Sequence, residues 1–106
     1  MSLRVAITIS DPWDLVTVCG SGPFQGTVAA TQPERLVVQL DEPLRYQGHV
    51  LTWAVCQVRH EGGSVDDMVS SHDTPTSFAL VSAPPSTTTG LRDVAGVAAL
   101  GTVRGA

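Results

Sequence analysis

The chain predicts an all-β fold, a small antiparallel barrel of five strands. Three observations carry this. Apolar residues alternate with polar ones at period two in several short runs. Turn signals cut those runs at regular intervals. Valine occurs fifteen times and threonine eleven in 106 residues, and both β-branched types sit easily in strands.

The first run is Leu3, Val5, Ile7 and Ile9, alternating with Arg4, Ala6, Thr8 and Ser10. This is a strand with one buried face. Asp11-Pro12-Trp13 breaks it, and Asp before Pro is a helix-start signal. Residues 13–19 are short and rich in β-branched residues, so they predict one helical turn or an irregular loop. Gly20-Ser21-Gly22-Pro23 ends that segment. Phe24–Thr31 and Glu34–Asp41 follow at hairpin spacing, with Pro33 calling for a turn wider than two residues. In the second of these, Leu36, Val38 and Leu40 mark the core face. Glu42-Pro43 is expected to stop it.

Tyr46-Gln47-Gly48 opens the next turn. The run from His49 to His60 is too long for one strand of a small flat sheet, so it predicts a bend or bulge. Trp53, in mid-strand, reads as core. Ser64-Val65-Asp66-Asp67 has the pattern of a capping box, with Asp in place of Glu or Gln, before one turn of helix. Residues 76–82 form the fifth strand, with Phe78 and Leu80 inward. The Pro/Ser/Thr/Gly-rich stretch that follows has linker composition. The organisation read from sequence is therefore a barrel over 1–82 and a flexible C-terminal tail over 83–106. Leu91, Val94 and Ala98 mark a possible short helix at 91–100.

The order strand, long loop, three strands, helical turn, strand resembles an SH3-like barrel over Leu3–Ser82. The resemblance is one of element order, with no family motif. A five-stranded OB-like barrel is the alternative.

Six arginines, no lysine and ten acids leave a net charge of −4. Residues 1–82 hold four arginines against nine acids, or −5. A surface that binds nucleic-acid phosphates carries a basic stripe, and none is visible. The same charge opposes an acidic membrane surface. Two cysteines are too few for a disulfide framework. No signal peptide or membrane helix is visible, so a cytoplasmic protein with reduced thiols is expected. No cofactor is called for.

Catalytic signatures are absent. Cys56 and His60 lie four apart on one extended run, beyond hydrogen-bond reach, so they do not make a nucleophile–base pair. Ser70-Ser71-His72-Asp73 lists triad letters, but neighbours in sequence do not converge. Gly20-Ser21-Gly22 lacks the rest of a phosphate loop. The one grouping with metal-ligand chemistry is His60, Asp67 and His72, which a loop and a helical turn could fold together. Trp13, Tyr46 and Arg59 are the candidate binding residues. Trp13 lies in the long first loop, where peptide-binding barrels present aromatics; a lid over one barrel end is the preferred reading of it.

The expectation is a non-enzymatic module that binds a protein or peptide or pairs with itself through a strand edge. A small enzyme using the His/carboxylate loop, and single-stranded nucleic-acid binding, are the alternatives.

Overall fold

The computed structural model describes residues 3–11, 13–32, 35–82 and 97–106. Six strands and two short helices follow in the order β1 (Arg4–Asp11), α1 (Trp13–Cys19), β2 (Phe24–Gln32), β3 (Arg35–Tyr46), β4 (His49–Val58), α2 (Val65–Met68), β5 (Thr74–Val81) and β6 (Val97–Gly105). The strands form a closed antiparallel barrel in chain order, with β6 paired back to β1.

The all-β barrel is as expected, but it has six strands. β6 lies in the segment read as tail. Its period-two row Val97, Ala99, Gly101, Val103 outweighs the helical spacing of Leu91, Val94 and Ala98. Ala99 and Val103 are buried. The rest of the expected helix, 91–96, lies outside the described residues, as does the linker at 83–90. The sixth strand also leaves β1 bonded on both sides, to β2 and to β6, so β1 presents no free edge. Gly101 permits this closure: a side chain there would run into the Thr8 carbonyl.

The barrel is filled by its own inward rows. Val5, Ile7 and Ile9 of β1 meet Leu36, Val38 and Leu40 of β3, Ala54, Cys56 and Val58 of β4, and Phe78 and Leu80 of β5. The two helices plug opposite ends. Leu15 on α1 and Met68 on α2 are fully buried in this core. Trp13, read as the lid, is 68% exposed; Leu15 performs that role. On a seven-residue helix only one narrow stripe can face the barrel, and Leu15 takes it.

The β3–β4 hairpin closes through Gln47 and Gly48, both at positive φ, the two-residue geometry that matches strand twist. β3 does not stop at Glu42-Pro43. It runs twelve residues to Tyr46. The predicted bulge sits mainly on β3: register passes from Gln39↔Trp53 directly to Leu44↔Leu51. That shift reverses the facing of β4 between Leu51 and Ala54. Leu51 and Ala54 both point in, and Trp53 lies half-buried on the outer wall beside Val81. Trp53 is therefore not a core residue.

Candidate functional site

The two barrel ends differ in what they present. At one end α1 packs against β1 and β3. The Tyr46 hydroxyl donates to the Asp14 carboxylate, tying the helix to the last residue of β3. This bond, together with burial, pushes the Tyr46 phenol above its ordinary range. The Cys19 thiol donates to the Arg45 carbonyl at 3.3 Å and ties the other end of the helix to the same strand. Leu15 anchors the helix from below. α1 is thus held at three points, while Trp13 and Val18 stand 68% and 66% exposed on it.

Beside α1 the barrel wall opens. Two adjoining cavities of about 260 and 270 Å³ share Phe24 and Glu42. The first is completed by Pro23, Gln25 and Asp41. The second is completed by Val18 and Cys19 at the end of α1 and by Pro43, Leu44 and Arg45 of β3. Asp41 on the rim is engaged by Arg4 through both guanidinium nitrogens, and Arg4 also donates to Thr27 at 2.8 Å. This pairing holds the Asp41 carboxyl below, and the Arg4 guanidinium above, their usual ranges.

The opposite end is built around α2, which packs on β5 and β6. The capping box forms as read: the Asp67 carboxylate accepts the Ser64 N–H at 3.0 Å. His60 Nε2 approaches the same carboxylate at 3.8 Å. His72 turns instead to the Ser70 hydroxyl, at 3.1 Å from Nδ1. Among the described residues, no three His, Cys, Asp or Glu side chains converge on a metal-sized site. The fold brings His60 to Asp67 and leaves His72 apart. Asp67 already serves α2 three ways, since its carbonyl accepts from Ser70 and Thr74 hydroxyls at 2.6 Å.

The three candidate binding residues separate. Trp13 is free on the surface. Tyr46 is buried and committed to Asp14. Arg59 lies at the α2 end and donates to the Gly101 carbonyl at 2.9 Å, bracing β4 against β6. Cys56 is buried, and burial pushes its thiol far up, which keeps it protonated and inert. Cys19, at the cleft, is the more accessible thiol. Val18 and Phe24 drew no notice in the sequence, because a valine in a short helix and a phenylalanine opening a strand look like ordinary core residues.

Among the described residues, every buried side-chain nitrogen and oxygen has a hydrogen-bond partner, and no helix is long and apolar enough to cross a membrane. Comparison with known proteins finds no matching family model, no matching curated protein and no matching solved structure.

Proposed function

We propose that this barrel is a non-enzymatic binding module for a protein or peptide, with α1 and the adjoining cleft as its contact surface. The observation that supports this is Trp13, 68% exposed on a helix fixed to the barrel at Leu15, Asp14 and Cys19. Tryptophan is among the residues that most often anchor interfaces, and a pre-fixed anchor loses little conformational freedom on binding. Asp11 and Asp14 flank it, and this local charge disfavours phosphate-bearing partners.

Selection of short linear peptides against the full chain tests the reading. Selected peptides should lose at least about tenfold in affinity against Trp13→Ala, a typical cost for an interface anchor. The melting temperature of that variant should stay within about 2 °C of the parent, as for an exposed side chain. Light scattering distinguishes self-association: a dimer that Trp13→Ala dissolves would make a second copy the partner. Selection yielding no binder, with a strictly monomeric chain, would remove the proposal.

A further inference from the structure

We infer that a groove on the outer wall of β5 and β6 seats a cationic segment of the partner polypeptide, an arginine or lysine beside an apolar side chain. This rests on the binding-module reading above and names the chemistry of the partner.

The groove has a volume of about 660 Å³ and is lined by Asp11, Ser77, Ala79, Ala98 and Leu100, together with Phe78 and Ala99. The last two have their side chains in the core, so only their main chain borders it. The others follow the strand pairing. Asp11, Leu100 and Ser77 form one row across β1, β6 and β5, and Ala98 and Ala79 form the next across β6 and β5. Two alanines side by side on a strand wall leave a hollow beside the larger Leu100.

Asp11 reaches this wall through a bulge. β1 and β6 pair as Ile9↔Gly101 and then as Asp11↔Leu100, so Ser10 is the extra residue. Ile9 lies in the core, and strict alternation would send Asp11 inward after it. The bulge instead sets Asp11 on the outside, beside Leu100. The Ser10 hydroxyl holds this kink by donating to the Leu100 carbonyl at 3.2 Å.

Charge then selects the occupant. Asp11 is exposed and, among the described residues, has no ion-pair or side-chain hydrogen-bond partner. Arg59 also reaches β6, but it donates to the Gly101 carbonyl, on the side of Leu100 away from Ala98, and is not a wall of the groove. One carboxylate at the rim of an apolar groove favours a cation joined to an apolar body. Trp13 lies two residues along the chain, so its Cα is within about 8 Å of that of Asp11. Its exposed indole offers the same cation a second attraction, to the face of the ring. The volume falls within the roughly 300–1,000 Å³ of ligand sites. The groove lies open along the strands, however, which suits neighbouring side chains of a polypeptide better than an enclosed small molecule.

Selection from a random linear peptide library against the full chain tests this. Binders should be enriched in arginine or lysine next to an apolar residue, and added salt should weaken them. Asp11→Lys replaces an attraction by a repulsion and should lower their affinity at least about tenfold. Asp11→Asn, of the same shape, should lower it about two- to fivefold. Ala98→Leu fills the hollow and should cost about tenfold. Both positions are exposed, so each variant should melt within about 2 °C of the parent. Binders without an excess of basic residues would overturn the inference. So would basic binders that keep their affinity for either Asp11→Lys or Ala98→Leu while losing it to Trp13→Ala; both results leave the binding-module reading standing. A library that yields no binder overturns the inference, and with a strictly monomeric chain it overturns that reading too.

Discussion

Tyr46 shows how one residue can set the geometry of a surface it does not join. Its hydroxyl is spent on Asp14 and holds α1, the helix that carries Trp13, to the end of β3. The bond also has a pH signature. The folded-state phenol titrates above the unfolded value of 10.0, because ionisation would bring a phenolate against the Asp14 carboxylate. Its contribution to stability is complete below that unfolded value and is lost as pH rises through the folded one. Tyr46→Phe should therefore lower the urea midpoint at pH 8, and should flatten part of the stability loss above pH 10 that the parent shows. The Arg4–Asp41 pair works with the opposite sign. Asp41 is held below its usual 3.8, so what it contributes is present above that value and disappears as pH falls through the folded one. Both side chains are 42% exposed, so its contribution to stability is small.

At the scale of elements, the two short helices act as plugs. Seven and four residues are too few to be stable helices alone. Each is retained by one buried side chain and by bonds to a neighbouring strand. Leu15→Ala should cost about 2–5 kcal/mol in chemical denaturation, the usual range for emptying a fully buried leucine site. Met68→Ala should fall in the same range of about 2–5 kcal/mol. The two differ in consequence. Under the proposed binding function, Leu15→Ala should also loosen α1 and weaken peptide binding, whereas Met68→Ala, at the far end, should leave binding intact in whatever fraction remains folded. Measuring affinity for both variants below their melting temperatures separates plug from platform.

For the whole molecule, closure decides the fold. β6 supplies Ala99 and Val103 to the core and joins β5 to β1. Without it, both of those strands would show a free edge and an uncovered inward row. A chain ending at Ser82, the boundary the sequence suggests for the barrel, should fail to fold: its NMR spectrum should lack the dispersion of the parent, and it should melt without a cooperative transition. A folded, cooperative 82-residue chain would show that β6 is dispensable.

The all-β class was legible because period-two rows such as Leu36-Val38-Leu40 and Phe78-Leu80 have one explanation, a strand with a buried face. The α2 turn was legible from Ser64 and Asp67, because capping is a local interaction. The sixth strand was not. Val97–Gly105 is rich in alanine and glycine, which say little about strand or helix until β1 and β5 stand on either side of it. Trp53 was misplaced for a related reason: a register shift on β3, a different strand, reverses which β4 residues face in. Of the three residues read as binding candidates, Trp13 alone stands exposed. Tyr46 and Arg59, read from the sequence as binding residues, have partners within the chain instead, and those partners, Asp14 and the Gly101 carbonyl, are 32 and 42 positions away.

By itself, then, the sequence determined what local patterning encodes: strands, turns, caps, an acidic surface and a core of valine, isoleucine and leucine. Only the tertiary structure decided what depends on distant partners. It closed the barrel with β6, gave the lid to Leu15 and left Trp13 exposed. The physical reason is range. Alternation and capping act between residues a few positions apart, whereas closure, register and the cleft are set by contacts between strands that the chain brings together only when it folds.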